Sequence, residues 1–139
     1  MKAYLDSCIV IYLVEGAEDY RAAVQRALES SCPEESCVSD LVRLECRVGP
    51  IRGGDSAMLE RFDQFFSDAS VVPLTSTVYD LAAELRAHHR LKTPDAIHAA
   101  AAITRGCDEL WTNDRRLAAL EPRLRLRVLP CPRHVVEPP

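Results

Sequence analysis

The sequence predicts an α/β fold in which a parallel sheet of about five strands is covered by helices on both faces. Short apolar segments alternate with longer amphipathic ones along the 139 residues, which is the pattern of consecutive strand-helix units. Turn and cap residues stand between the segments. No internal repeat and no linker-like tract interrupts the alternation, so we expect one domain over residues 1–139.

Local signals place each element in order. Strands are predicted at residues 2–5, 36–38, 70–74, 109–112 and 126–129, and a proline-rich tail follows the last of them. Helices are predicted at residues 7–16, 17–30, 39–48, 55–66, 75–89, 93–105 and 114–120. Their expected N-terminal caps are Ser7, Ser39, Asp55, Thr75, Thr93 and Asp114. Pro94 at the first helical position and Gly106 as a stop make the sixth helix the clearest.

Composition limits the classes of function. The net charge of −4 argues against binding nucleic acid through a broad basic surface, although a local groove remains compatible with it. Arginines crowd the last quarter of the chain, either as a solvated surface or as a substrate or partner contact: Arg115, Arg116, Arg123, Arg125, Arg127 and Arg133.

The apolar runs are too short to cross a bilayer, and Asp6 follows Lys2 before a signal-peptide apolar region could form. We therefore expect a cytoplasmic protein with no membrane partner. In that compartment the six cysteines are expected to be reduced thiols, mostly packed in the core: Cys8, Cys32, Cys37, Cys46, Cys107 and Cys131. They lack the spacing of a zinc site.

Four acidic residues form a candidate site. Asp6 and Asp114 follow strands, and Asp95 lies in the first turn of a helix, so these three are expected near the carboxyl edge of the sheet, where ligands bind in such folds. Glu45 lies inside a helix, on or beside a face that carries Leu41, Leu44 and Val48. A half-buried carboxylate needs a partner, and converging carboxylates raise one another's pKa unless a cation neutralises them.

An all-oxygen ligand set favours Mg²⁺ or Mn²⁺, as one ion or two, and phosphodiester hydrolysis is the expected chemistry. Taken singly, Asp6, Asp95 and Asp114 could also be ordinary helix-start acids. For His98, three residues after Asp95, a packed or hydrogen-bonded histidine is favoured over a phosphate contact. Trp111 is expected in the core rather than stacked on a base.

Four segments together resemble the PIN domain family, and within it the VapC-type toxins of toxin-antitoxin pairs. The resemblance covers essentially the whole chain. The segments are Tyr4-Leu5-Asp6-Ser7; Ser39 with Glu45 six residues later; Thr93-Pro94-Asp95-Ala96-Ile97-His98-Ala99-Ala100-Ala101-Ala102; and Leu110-Trp111-Thr112-Asn113-Asp114.

The resemblance implies a three-layer α/β/α sandwich with a mainly parallel five-stranded sheet and an Mg²⁺- or Mn²⁺-dependent endoribonuclease. The acids that match the family's motif are Asp6, Glu45, Asp95 and Asp114, with Asp6 and Asp95 as the main metal ligands. Flanking polar positions match at Ser7, Ser39, Thr112 and Asn113, where oxygens could bind metal-held water or orient a carboxylate.

Partners also follow from the resemblance: an RNA substrate, a small cognate antitoxin of the VapB kind that presents a basic side chain to the acids, and a second copy of the toxin. The helices that carry residues 8–14 and 41–48 are expected either to face the antitoxin or simply to be buried.

Other functions of the same architecture fit the residues less well. A phosphotransfer receiver domain needs an acidic pair after the first strand, and a haloacid-dehalogenase-like phosphatase needs Asp-x-Asp there, whereas Asp6 is followed by Ser7 and Cys8. A PIN-like module that binds RNA or a partner without turnover remains the alternative.

Overall fold

Within residues 1–16 and 18–129, which are those the structure describes, the computed structural model contains five strands and seven helices. Ala17, Cys131, Arg133 and the predicted proline-rich tail lie outside the described residues. In chain order the elements are β1 (Lys2–Leu5), α1 (Ser7–Val14), α2 (Glu18–Ser31), β2 (Glu35–Ser39), α3 (Asp40–Gly53), α4 (Ser56–Asp68), β3 (Ser70–Val72), α5 (Ser76–His89), α6 (Thr93–Arg105), β4 (Glu109–Thr112), a 3₁₀ helix (Arg115–Leu120) and β5 (Arg125–Val128).

The five strands form one sheet in the order β3-β2-β1-β4-β5, and every neighbouring pair is parallel. The chain first moves outward from β1 through β2 to β3, and it then crosses back to β4 and β5. Right-handed crossovers in opposite directions place helices on opposite faces of a sheet. Accordingly α1 to α4 pack with one another, and α5 packs against α6. The predicted α/β/α fold class is confirmed.

The core is densest at the two central strands. Ala3, Tyr4 and Leu5 of β1 and Leu110 and Trp111 of β4 are at most 2% exposed. Strands covered on both faces have no solvated side, so their residues are apolar without alternation. The alanines of α6 from Ala99 to Ala102 are fully buried, because small side chains allow that helix to approach the sheet closely. The core location predicted for Trp111 is confirmed.

Four predicted helix caps differ from the structure by one residue or in their bonding, and one of them is Thr75, which precedes α5 without a side-chain cap bond. Asp6, not Ser7, caps α1, because its carboxylate accepts a hydrogen bond from the Ser7 amide. Lys92, not Thr93, precedes α6, and Ser39 precedes α3 without a side-chain cap bond. Asp55 and Asp114 cap their helices as predicted.

The helix α3 ends later than predicted, and its buried side is not the face that carries Leu44 and Val48. The helix continues through Gly49 and Pro50 to Gly53, and Gly54 ends it with a φ of +67°. Pro50 is buried, so packing compensates for the missing backbone hydrogen bond. The buried positions are Val42, Cys46 and Pro50. Leu44 and Val48, which were expected either to face a partner or to be buried, are 58% and 41% exposed.

Among the described cysteines, Cys8, Cys32, Cys37, Cys46 and Cys107, each has a free thiol. Three of them, Cys37, Cys46 and Cys107, are buried in the core as expected. Across the part of the chain that the structure describes, none of the helices has the length and apolar character needed to cross a membrane.

Candidate metal centre

Asp6 and Asp114 lie beyond the carboxyl ends of β1 and β4, where the strand order reverses. The backbone amide of Asp6 donates to the carbonyl of Trp111 at 3.0 Å, so the ends of the two strands are level. One carboxylate oxygen of Asp6 accepts from the Ser7 amide at 2.7 Å, and the other accepts from Thr112 Oγ1 at 2.8 Å. These bonds hold Asp6 in one orientation at the crevice where α/β sheets bind ligands.

Glu45 reaches the same crevice from the second turn of α3. Its Oε1 lies 2.6 Å from Nε2 of His98 on α6. The same nitrogen lies 3.6 Å from Oδ1 of Asp6. One ligand atom from each of Asp6, Glu45 and His98 falls within 4.8 Å of the others. Two carboxylates that are 39 positions apart in the sequence therefore converge on one buried imidazole.

His98 is 2% exposed and is hydrogen bonded at both ring nitrogens, since Nδ1 lies 2.8 Å from the Tyr4 hydroxyl. Burial lowers the pKa of His98, but the hydrogen bond with Glu45 and the charges of the neighbouring acids outweigh burial and raise it. The Tyr4 hydroxyl also lies 2.8 Å from Ser39 Oγ. Burial raises the pKa of Tyr4, which keeps that hydroxyl protonated.

Asp95 lies in the first turn of α6 and is partly buried. Burial raises the pKa of its carboxyl group, and the negative charges of Asp6 and Asp114 add to the increase. Arg116 and His98 act in the opposite direction. Asp95 is outside the group formed by Asp6, Glu45 and His98. The charges of Asp6 and His98 nevertheless affect its pKa.

The carboxylate of Asp114 is hydrogen bonded to Arg116 and forms an ion pair with it. Its carboxylate accepts from the backbone amide of Arg116 at 2.9 Å and from Nε of Arg116 at 2.6 Å, and a second guanidinium nitrogen forms an ion pair with it. The hydrogen bonds from Arg116 lower the pKa of Asp114. Arg116 is 60% exposed, so its guanidinium lies at the mouth of the crevice.

The four flanking polar residues, Ser7, Ser39, Thr112 and Asn113, have different hydrogen-bond partners. Thr112 contacts Asp6 as described and also accepts from the Asp114 amide at 3.2 Å. Ser7 Oγ is 3.5 Å from Asp6 Oδ1, at the limit of a hydrogen bond. Ser39 bonds to Tyr4 rather than to an acid, and the Asn113 amide donates to Tyr12 at 2.7 Å.

The donor set fits a hard divalent cation. Asp6 and Glu45 converge, and Asp95 is raised in pKa by the charges of Asp6 and Asp114, so the carboxylates repel one another in this arrangement. Carboxylate oxygens are the ligands that Mg²⁺ and Mn²⁺ prefer. A bound cation would relieve the repulsion that the structure shows.

Three residues that shape this site were not connected with the four acids in the sequence analysis, although His98 is hydrogen bonded and buried as expected there. Tyr4 is a polar aromatic residue inside a buried strand, and it stands two positions before Asp6 on the same face. His98 stands three positions after Asp95, which places the two side chains on neighbouring parts of one helical face. Arg116 stands two positions after Asp114, the cap of a short helix. These spacings were available as signals, but the partners across the fold were not.

A known protein family and several solved structures are similar to this chain. The PIN domain family matches residues 3–121. A toxin-antitoxin complex from Klebsiella pneumoniae contains a similar chain with 25% identity and a TM-score of 0.72, over 88% of this chain and 94% of that one. No curated protein is significantly similar in sequence.

Two further solved structures share the fold at lower identity. VapBC2 from Rickettsia felis, bound to a promoter DNA fragment, is 19% identical with a TM-score of 0.72, over 92% of this chain and 98% of that one. VapC20 from Mycobacterium tuberculosis, a toxin that cleaves the sarcin-ricin loop, is 19% identical with a TM-score of 0.69, over 86% and 95%. Because the family match spans most of the sequence, the chain belongs to the PIN domain family.

Proposed function

We propose that this protein is a metal-dependent endoribonuclease that hydrolyses RNA phosphodiester bonds and acts as the toxin of a toxin-antitoxin pair. The observation that carries the proposal is the convergence of Asp6, Glu45 and His98 within 4.8 Å at the point where the strand order reverses. Membership of the PIN domain family and the likeness to a toxin-antitoxin complex support the same conclusion.

Asp6 and Asp95 would be the main ligands of Mg²⁺ or Mn²⁺, and Glu45 and Asp114 would complete the set. When bound, such an ion activates a water for attack on a phosphodiester and stabilises the charge on the departing oxygen. The chain's own contribution is orientation: Thr112 and the Ser7 amide fix both oxygens of Asp6. Preorganised ligands lose less freedom when the ion and substrate bind.

Two basic residues explain how an acidic protein could hold RNA at this site. Arg116 is bonded to Asp114, and the charge of Lys92 also acts on that carboxylate. Both side chains are exposed. A guanidinium at the mouth of the crevice can bind a phosphate bidentately. The proposed contact with RNA is therefore local, as the net charge of −4 requires.

The proposal includes an antitoxin of the VapB kind, with toxin dimerisation and a hetero-oligomer. Two structurally similar chains, from Klebsiella pneumoniae and Rickettsia felis, come from toxin-antitoxin complexes. On α3, three apolar side chains at helical spacing are exposed: Leu44, Val48 and Ile51, at 58%, 41% and 59%. This exposure favours a partner surface over plain burial for the residues of α3, whereas Ile9, Val10 and Val14 of α1 are buried.

The test is incubation of the purified protein with structured RNAs in the presence of Mn²⁺ or of EDTA. We expect new RNA ends with Mn²⁺ only. The matched control is Asp6→Asn, which keeps a side-chain oxygen to cap α1 and should retain the circular dichroism spectrum and melting temperature. Cleavage by Asp6→Asn at the wild-type rate would contradict the proposed site. RNA binding without new ends would instead indicate a PIN-like binding module.

A further inference from the structure

A chain of hydrogen bonds runs from β2 through β1 and α6 to Glu45. Ser39 Oγ lies 2.8 Å from the Tyr4 hydroxyl, which lies 2.8 Å from Nδ1 of His98, and Nε2 of His98 lies 2.6 Å from Oε1 of Glu45. Ser39 and Tyr4 are fully buried and His98 is 2% exposed, so water does not compete for these bonds. Only Glu45, at 30% exposure, faces the crevice.

We infer that His98 and Tyr4 are positioning residues, which together hold Glu45 with one oxygen bonded to His98 and the other directed to a divalent cation. The inference rests on the proposed function, because it concerns how the same site is prepared for its metal ion. Neither residue touches the reacting atoms. Their effect is transmitted through the orientation of Glu45.

The direction of the bond to Glu45 follows from the donors and acceptors available. An ionised carboxylate only accepts hydrogen bonds, so Nε2 of His98 must carry a proton and donate it. In the neutral imidazole Nδ1 then accepts from the Tyr4 hydroxyl, whose oxygen accepts from Ser39. In the imidazolium Nδ1 donates to Tyr4, which donates to Ser39. Both protonation states leave Nε2 donating to Glu45.

The geometry favours this role over direct metal ligation by His98. A separation of 2.6 Å between Nε2 and Oε1 is that of a charge-assisted hydrogen bond. Two atoms that bind one small cation at adjacent positions lie roughly 3 Å apart, given bond lengths of about 2.1 Å. The nitrogen lone pair that a metal would need is occupied by the proton that Nε2 donates.

Positioning matters for Glu45 because its side chain is long and partly exposed. A free glutamate loses rotamer freedom when it is fixed by a ligand. The bond to His98 fixes Glu45 before any ion arrives. The same N–H group lies 3.6 Å from Asp6, so its positive end also reduces repulsion between the two carboxylates.

The test compares Mn²⁺ binding by metal-free wild type with that of four variants, measured from the electron paramagnetic resonance signal of free Mn²⁺. In His98→Gln the amide nitrogen can replace Nε2 and donate to Glu45. In His98→Asn the shorter amide reaches the Nδ1 position but not Glu45. Both variants keep a polar, buried amide, and circular dichroism and thermal melting establish that they fold.

We expect His98→Asn to weaken Mn²⁺ binding by about 10- to 100-fold, the usual effect of losing an outer partner of a metal ligand, and His98→Gln to stay within about threefold of wild type. Tyr4→Phe should weaken binding less than His98→Asn. The double variant Tyr4→Phe/His98→Asn should bind as His98→Asn does, because Tyr4 acts through His98.

Equal Mn²⁺ affinity in His98→Asn and wild type would overturn the inference, as would equally weak binding by His98→Gln and His98→Asn. If the His98 variants do not fold, unchanged binding by Tyr4→Phe overturns it and weaker binding supports it. A wild-type protein that binds no Mn²⁺ would overturn the proposed function as well. Wild-type binding that no variant changes would overturn the positioning role alone.

Discussion

Thr112 Oγ1 donates a 2.8 Å hydrogen bond to Oδ2 of Asp6 and thereby joins the carboxyl ends of β4 and β1 at the metal site. The hydroxyl is fully buried, and it also accepts from the Asp114 amide. One side chain thus connects two of the four acids. Its loss should affect both metal binding and stability.

We predict that Thr112→Val lowers Mn²⁺ affinity by about tenfold, because Asp6 loses the donor that orients it. The free energy of unfolding should fall by about 1–3 kcal/mol, since the hydrogen bonds to Asp6 and from the Asp114 amide are both lost at nearly constant volume. Calorimetric titration and urea unfolding measure the two effects. Thr112→Ser keeps the hydroxyl and is the control. Wild-type Mn²⁺ affinity in Thr112→Val would show that Asp6 does not depend on this bond.

Arg116→Ala should change metal and RNA binding in opposite directions. Removing the guanidinium frees the Asp114 carboxylate and removes a positive charge, so Mn²⁺ affinity should rise by about two- to tenfold at low salt. RNA affinity should fall, because a phosphate contact is lost. Filter binding to a structured RNA in the presence of Ca²⁺ measures the RNA affinity. A Mn²⁺ titration measures the metal affinity.

Arg115→Ala is the matched control for Arg116→Ala, since it removes a neighbouring exposed arginine from the same 3₁₀ helix. We expect smaller changes in both measurements for this variant. A parallel decrease of Mn²⁺ and RNA affinity in Arg116→Ala would mean that the residue supports the site structurally instead of competing for Asp114.

Glu35, at the amino end of β2, should contribute to the stability of the fold in a way that depends on pH. Hydrogen bonds from Ser70, Arg105 and Cys37 lower its pKa from 4.5 to about 2. A depressed carboxyl pKa contributes stability that is present above the unfolded-state pKa and is lost as the pH falls through the folded-state value. The contribution of Glu35 should therefore disappear between about pH 5 and pH 2.

Glu35→Gln should be less stable than wild type at pH 7, and the difference should shrink as the pH falls toward 2. Urea midpoints at several pH values measure this dependence. Glu60→Gln, a change at an exposed residue of α4, is the control and should follow the wild-type curve. A Glu35→Gln deficit that stays constant with pH would exclude the carboxylate charge as its cause.

Ile51→Lys should weaken the antitoxin complex without affecting RNA cleavage by the free toxin. Ile51 is 59% exposed on α3 and lies almost two turns beyond Glu45, so a lysine there adds charge to the apolar row and leaves the site intact. Co-purification with a co-expressed antitoxin of the VapB kind is the measurement. Tyr79→Ser, at an exposed residue of α5, should have no effect. Undiminished co-purification of Ile51→Lys would place the antitoxin elsewhere.

The sequence by itself determined the order and type of the elements, because these depend on local signals. Strands β1 and β4 have the predicted bounds, and Asp55 and Asp114 cap the predicted helices. Periodicity and caps act over a few residues, so they can be read without knowing the fold. The motif residues likewise identified the family.

The end and the buried face of α3 could not be read in this way. Gly49 and Pro50 are strong local stop signals, yet burial of Pro50 against the core outweighs them. Leu44 and Val48 could be core residues by their apolar character, but they are exposed, because the buried side of α3 carries Val42, Cys46 and Pro50 instead. Tertiary packing overrides a local preference of a few kcal/mol.

Only the tertiary structure decided what surrounds each acid. The bonds from Glu45 to His98 and from His98 to Tyr4 join residues 53 and 94 positions apart. Such contacts depend on the strand order and on which face each helix covers, and both are set by the burial of the whole chain. The sequence could name Asp6, Glu45, Asp95 and Asp114 as candidates, but it could not show the histidine that joins two of them or the arginine that engages a third.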